Sequence, residues 1–385
     1  PQGYRPSAAV TDRIERAELK LERATAETDP QPMAQWANES LKESLWSGEQ
    51  AVFDQAKQVI ARRVRRDEFL FGANFFGHPS AGEKYDQQFQ KLFNFATLPF
   101  YWRSFEHERG KPAYAQTEAK LDWLNRANIL PKGHPLVWFH EIGVPDWIKG
   151  KSYSEVRDLV RSRVIEVTRH FGDRIPYYDI INEAHDIAWA NQLDFSQEQM
   201  LEMTKLAAEA SAEGFPQVQR IVNTCCSWAK YVPKGSQSQP LRSAYQYLQS
   251  CIDAEIPFET IGIQLYYPSQ DMFEIHRLLE RFGTLGKPIH ITELGVSSST
   301  EEDEKSYFKK PSGLWHAPWS ETVQADWIEQ FYTLCYSKPF IGAVTWWDFA
   351  DANFWPHGGF LRRDMTPKES FFRLKNLRQV WQSQV

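Results

Sequence analysis

Cysteine is scarce in this chain: its 385 residues hold four, Cys225, Cys226, Cys251 and Cys335. That density is too low for a disulfide-stapled scaffold, and the spacings match no zinc-ligand pattern, so no metal is expected. Long apolar runs are missing too. None approaches the roughly 18 residues of a membrane-spanning helix, and no membrane partner is expected. Charge of one sign is not in excess either, since a net charge of -6 offers no general attraction to nucleic acid or anionic lipid. The basic run Arg62, Arg63, Arg65, Arg66 reads as a solvated helix face. A glycine-rich phosphate turn is also absent: FLFGANFFGHPSAG (69–82) contains no G-x-G-x-x-G, which removes the mark of a dinucleotide site, and no organic cofactor is expected.

What is present is ample core material, with 42% hydrophobic and 24% charged residues. From about Glu68 onward, short runs rich in Val, Ile, Phe and Trp alternate with longer amphipathic stretches, the pattern of strand and helix units around a parallel sheet. The expected strands are 69–76, 92–102, 134–142, 176–186, 219–228, 260–267, 288–296 and 341–349. Helical patterns fill 113–129, 154–172, 197–215 and 321–337, and a last helix spans 368–381. The starts at 92, 134 and 176 leave room for a strand, a loop and a covering helix in a right-handed crossover. Eight such units predict an α/β fold of the (β/α)₈ or TIM-barrel type with an N-terminal helical extension. A doubly wound open sheet is the rival topology. Residues 1–66 form the expected arm, with helices over Thr11–Thr28 and Ser44–Arg66 separated by breaks at Pro30 and Pro32. Residues 67–385 form the expected catalytic barrel.

In such a barrel the C-terminal strand ends build the active site. Glu183 follows Asn182 at the end of PYYDIIN, and Glu293 closes IHIT, so both carboxylates emerge at the mouth on the fourth and seventh strands. Glycosidic cleavage needs one carboxyl that stays protonated near neutral pH and one that stays ionised, and a Glu pair supplies both. A close pair gives a covalent intermediate and retention; a wider one admits water and inverts. Asn182 is placed to bond a sugar 2-hydroxyl, and Gln264 and Tyr266 to reach the neighbouring Glu293. Trp346, Trp347 and Trp355 offer apolar faces to pyranose rings. His134 reads as a hydroxyl donor to the sugar rather than a metal ligand, and His185 as either a modulator of Glu183 or a surface residue.

The chain resembles glycoside hydrolase family 10, the β-1,4-xylanases and their relatives, as a divergent member. The resemblance covers roughly residues 68–382. It runs through GHPLVW (133–138), PDW (145–147), IINEA (180–184), IGIQ (261–264), ITELGV (291–296) and WWDFADANFW (346–355), followed by GGFLRRDMTPKESF (358–371). It implies that Glu183 is the acid/base and Glu293 the nucleophile of a retaining hydrolase. It further implies that His134, Trp138, Asn182, Gln264, Trp347 and Trp355 line the site around an oligo- or polysaccharide. Three positions depart from the family pattern. Where the second strand usually shows Glu-Asn and then Lys-Trp, this chain reads Thr97, Leu98, Pro99, Phe100, Tyr101, Trp102. Where a His usually follows Gln by two residues, it has Tyr266. Tyr101 and Phe100 thus suggest a sugar with fewer hydroxyls to satisfy, or one carrying a bulky or apolar substituent. A same-clan hydrolase of another β-glycan or glycoconjugate is the alternative, and a silent carbohydrate-binding barrel is the rival from another class. Because glycan polymers lie outside cells, a secreted or periplasmic setting is expected, with its signal absent from this chain.

Overall fold

The structure, a computed structural model, describes residues 3–63, 65–186, 189–230, 241–266 and 270–383. Tyr267, the last residue of the expected sixth strand, lies outside them, as do the chain ends of the expected arm and barrel. Eight parallel strands close into one barrel in sequential order: β1 (Leu70–Asn74), β2 (Phe95–Pro99), β3 (Leu130–His134), β4 (Tyr177–Asn182), β5 (Gln219–Thr224), β6 (Thr260–Leu265), β7 (Ile289–Leu294) and β8 (Ile341–Trp346). The open sheet is thereby excluded.

Two N-terminal helices, α1 (Ala8–Ala26) and α2 (Pro30–Ala61), precede the barrel. Around it lie α3 (Glu83–Leu92), the single turn α4 (Trp102–Phe105), α5 (Tyr114–Arg126), α6 (Tyr153–Phe171), α7 (Gln197–Gly214), α8 (Ala244–Asp253), α9 (Met272–Gly283), α10 (Glu321–Ser337) and α11 (Glu369–Ser383). Several of these helices begin where a short polar residue satisfies the otherwise orphaned first-turn amides. Ser152, Ser196 and Ser243 each form a reciprocal capping box with Glu155, Gln199 and Gln246, respectively.

The third strand is not where the apolar pattern put it. It runs through Leu130–His134, and the expected run from Pro135 to Ile142 is loop, with Leu136 and Val137 buried beneath it. The misreading has a physical origin. LPKGH carries a lysine in its centre, which looks foreign to a buried strand, yet Lys132 is fully buried and its Nζ meets Asp179 Oδ2 of β4 at 2.6 Å. A charge tolerates that position only because a countercharge shares it. Gly133 is required by the same packing: a Cβ there would lie 2.4 Å from the Tyr178 ring.

The arm also differs. Pro30 does not break a helix but opens one, because the first turn needs no proline N–H, and Asp29 caps it by accepting from the Gln31 amide at 3.0 Å. α2 is therefore 32 residues long. It packs across α10 and α9 on the outside of the barrel, where buried Glu49 accepts from Trp315 Nε1 at 2.9 Å and the Met272 amide at 2.7 Å and contacts His316. The basic run lies just past the end of α2 and is solvated in part: Arg62, Arg63 and Arg65 are exposed, and Arg66 is half-buried. Arg63 donates to the Ser337 carbonyl at 2.7 Å, and Arg66 to the carbonyls of Tyr336, Lys338 and Ile341 at 2.7–3.0 Å, tying the end of the arm to the α10–β8 turn.

Candidate active site

Glu183 and Glu293 lie in the same cavity of about 920 Å³ at the C-terminal mouth of the barrel. Two irregularities in the ladder help to aim them. The register slips between Asp179 and Ile181 in β4, and again at Gln264 where β6 meets β7, and such bulges redirect the side chains that follow. Beyond the slips, Asn182 pairs with Asn223 and Gln264 pairs with Glu293 across neighbouring strands. Glu183 itself takes the left-handed conformation, φ 55°, and its amide donates to the Asn223 carbonyl at 2.9 Å. For a residue other than glycine that backbone costs of order 1–3 kcal/mol, which the surrounding bonds must offset.

One hydrogen-bond chain links the two carboxylates. Asn223 Nδ2 donates to Glu293 Oε1 at 3.2 Å and to Asn182 Oδ1 at 2.8 Å; Gln264 Nε2 donates to Asn182 Oδ1 at 3.3 Å and to Glu183 Oε1 at 2.8 Å. Thr292 Oγ1 fixes the Asn223 amide by donating to its Oδ1 at 2.5 Å. Trp138 Nε1 donates to the other Glu183 oxygen at 3.1 Å, and Tyr266 OH to Glu293 Oε2 at 3.1 Å. Gln264 thus serves Glu183 rather than the neighbouring Glu293, and Tyr266 alone of that pair reaches Glu293.

Both carboxyls are buried, and burial is what moves them. Desolvation lifts Glu183 from its ordinary 4.5 to about 7, with the charge of Asp186 adding to the rise and the donors Gln264, Trp138 and Asn182 opposing it. Burial also raises Glu293 well above its ordinary value, and the charges of Glu183 and Asp179 raise it further, while Lys132 and the Tyr266 hydroxyl pull it back. Two like charges in one dry cavity disfavour each other, so the pair holds one proton near neutrality. The charge of Asp186 raises Glu183, and that of Asp179, itself paired with Lys132, raises Glu293, so both carboxyls favour the one proton that the pair shares.

The remaining expected residues fall around this pair. His134 ends β3, with Nδ1 2.7 Å from Asp179 Oδ2 and Nε2 3.6 Å from Glu293 Oε1. Asp179 is held below the usual carboxylate range by Lys132 and His134 against the opposing effect of its burial, so it is ionised and can only accept. Burial keeps the His134 ring neutral. Its proton consequently sits on Nδ1, and Nε2 faces the cavity as an acceptor, the reverse of the donor role expected for it. Tyr101 lies between His134 and Trp138, with ring centroids 5.6 and 5.9 Å away, and Trp347 stands edge-on to His134 at 5.0 Å. Trp355 stacks on Tyr266 at 5.5 Å, and its amide is held by Asp348 Oδ2 at 2.5 Å.

Two expectations fail here. Trp346 is fully buried against Trp327, away from the cavity, and donates to the Gly358 carbonyl. Of the two roles open to His185 only the surface one fails: the ring is fully buried, Nε2 pairs with the Cys225 carbonyl at 3.1 Å, and burial pushes its pKa down to about 3. Other members of the site escaped notice in the sequence, namely Asn223, Lys132, Asp179 and Phe76. Lys132 and Asp179 did leave a signal, since a lone charge inside an apolar strand must find a partner when buried.

The model of the glycosyl hydrolase family 10 domain matches residues 61–376. This chain belongs to that family. Endo-1,4-beta-xylanase B of Thermotoga neapolitana is 24% identical over 340 residues, covering 84% of this chain and 92% of that protein. The beta-1,4-xylanase of Dictyoglomus thermophilum is 24% identical over 338 residues, covering 81% and 89%. Among solved structures, native xylanase 10B of Thermotoga maritima has a TM-score of 0.65 at 20% identity, covering 86% of this chain and 99% of that one. Xylanase 10B of Thermotoga petrophila RKU-1, in complex with xylobiose, gives the same score and identity, covering 86% and 98%. Phe76, just after β1, stands edge-on to Trp347 at 5.4 Å and to Tyr101 at 6.1 Å, so these three rings form an aromatic corner of the cavity.

Proposed function

We propose that this chain is a retaining hydrolase of β-1,4-linked xylan-type glycans acting by double displacement. The observation that carries the reading is the pair of buried carboxyls in one sugar-sized cavity, both raised by burial and both supplied with donors, so that they share one proton near neutral pH. Glu183 gives its proton to the glycosidic oxygen while Glu293 attacks the anomeric carbon; Glu183 then takes a proton from the water that frees the sugar. Tyr266 and Asn223 steady the Glu293 charge before attack. His134 Nε2 accepts from a sugar hydroxyl, Asn182 meets the 2-hydroxyl, and Trp138, Tyr101, Trp347 and Trp355 frame the ring. Polymeric glycans lie outside cells, and a secreted or periplasmic setting accords with that substrate.

The aromatic corner of Phe76, Tyr101 and Trp347 favours a second substrate for the same chemistry, a β-glycan bearing an apolar or bulky substituent on its non-reducing side. Losing one buried hydrogen-bonding group is worth about 1–3 kcal/mol, enough to redirect choice by one or two decades. A panel of plain, acylated and otherwise substituted β-glycans tests both readings through kcat/KM. The xylan reading expects release of reducing ends from plain xylan. Preference for the substituted glycans by tenfold or more would select the second. Binding without product across the panel would overturn both.

A further inference from the structure

Beyond Glu183 the cavity wall carries three groups that make no contact with the reacting sugar in the proposed mechanism: Asp186 after β4, whose charge acts on Glu183, and Cys225 and Cys226 after β5. One carboxylate oxygen and the two sulfurs all lie within 4.8 Å of one another, with Cys225 Sγ 4.0 Å from Asp186 Oδ2. Adjacent residues of an extended chain point to opposite faces. Here Cys226 turns left-handed, φ 51°, which breaks the alternation and leaves both sulfurs beside one carboxylate. Neither cysteine is part of a disulfide among the described residues. Their adjacency matches no zinc-ligand spacing along the chain; folding supplies the third ligand from another strand end. In a tetrahedral site with metal–sulfur bonds of about 2.3 Å and metal–oxygen bonds of about 2.0–2.2 Å, neighbouring ligand atoms lie roughly 3.5–3.8 Å apart. The cluster is within a small side-chain adjustment of that spacing.

We propose that Asp186, Cys225 and Cys226 form a site for one thiophilic divalent cation, zinc or cadmium, within the substrate cleft, and that its occupation switches hydrolysis off. Binding breaks two S–H bonds, forms two metal–sulfur bonds and one metal–carboxylate bond, and releases two protons to solvent; no electrons change hands. The fourth coordination position faces the cavity. The consequence at Glu183 is steric: the ion and its fourth ligand take up space against the cavity wall that these residues share with that carboxyl, where a glycan would have to sit. Because the thiols must ionise, affinity rises with pH. The groups facing Cys225 are Cys226, Glu183, Asp186 and His185; the first three are acidic, and their charges oppose thiol ionisation until the cation arrives.

The binding claim stands apart from the hydrolase reading, and the loss of activity rests on it. The test is titration of the reduced protein with cadmium, followed by the thiolate-to-cadmium charge-transfer band and by hydrolysis of the best glycan of the panel. The expected result is one cadmium per chain, a thiolate band, inhibition with the same midpoint, and recovery on adding a chelator. Cys226→Ser and Asp186→Asn, each checked for an unchanged unfolding transition, should weaken binding by more than about tenfold. A band of equal strength and midpoint in Cys226→Ser, or none in the unaltered protein, would overturn the site. A band without inhibition in an active enzyme would overturn the switch alone, and a band in a protein inactive on every glycan would leave the site standing while sinking the hydrolase reading.

Discussion

Replacing Glu183 by Gln removes an ionisable group while keeping its shape, and two consequences of opposite sign should follow. In the folded protein this carboxyl ionises only near pH 7, whereas in the unfolded chain it ionises near 4.5. A carboxyl with a raised folded value binds its proton more tightly in the native state, so stability is lost as pH climbs from the unfolded value to the folded one. Over that interval the ionising Glu183 costs the native state about 3 kcal/mol, taking 1.36 kcal/mol per pKa unit. Glu183→Gln carries no such cost. Denaturant unfolding of the two proteins should therefore give similar stabilities below pH 4.5 and a growing advantage for the variant up to pH 7, flat above it. Activity should move the other way. Loss of a general acid lowers kcat/KM, which reports the first bond cleavage, by about 10²–10⁴-fold for sugar leaving groups, and much less for a nitrophenolate, which departs without a proton. A stability difference that does not change with pH, or equal rate losses for both leaving groups, would refute the assignment of a buried, protonated acid to Glu183.

Four further outcomes follow from the same site. Trp138→Phe removes a donor that favours the Glu183 carboxylate, so the alkaline limb of the pH–rate profile should move upward by about one unit, given about 1.5 kcal/mol for a hydrogen bond to a charge. Tyr266→Phe strips a donor from Glu293 and should raise the acidic limb while lowering kcat by about ten- to a hundredfold, with KM little changed. Lys132→Met leaves Asp179 buried without its cation and should destabilise the fold by about 3–5 kcal/mol in chemical unfolding. Because Asp179 is held low by that cation and by His134, its contribution to stability is present above the ordinary carboxylate range and is lost on acidification through the depressed value. Gly262→Ala places a Cβ 2.7 Å from Asn223 Oδ1, so the variant should fold yet lose turnover as Asn223 shifts from Glu293.

The strand ends bearing the carboxyls were legible because their chemistry is local. NEA after an apolar run and TEL after another each mark a polar residue leaving a buried strand. The helices were legible where an amphipathic stripe met a serine cap, as at Ser152 and Ser196. The third strand was not, because a period-2 apolar pattern cannot foresee that Lys132 is neutralised by Asp179, 47 residues away. For the same reason Asn223 escaped notice: an asparagine inside IVNT looks like any strand residue until the barrel closes and places it between Asn182 and Glu293. His134 was found, but its role as acceptor depends on which nitrogen Asp179 engages, and only the fold decides that. In the arm, proline was read as a breaker although at the first turn it is compatible with helix, and Arg66 was read as solvated although its guanidinium caps the carbonyls of another element.

The measurement that bears most directly on paired action by Glu183 and Glu293 is the anomeric configuration of the sugar at the instant of release, followed by proton NMR before mutarotation. A nucleophilic Glu293 beside a protonated Glu183 predicts that the β-anomer appears first. An initial α-anomer would mean that water attacks the glycan directly, and Glu293 would then be a base and not the group that forms the covalent intermediate.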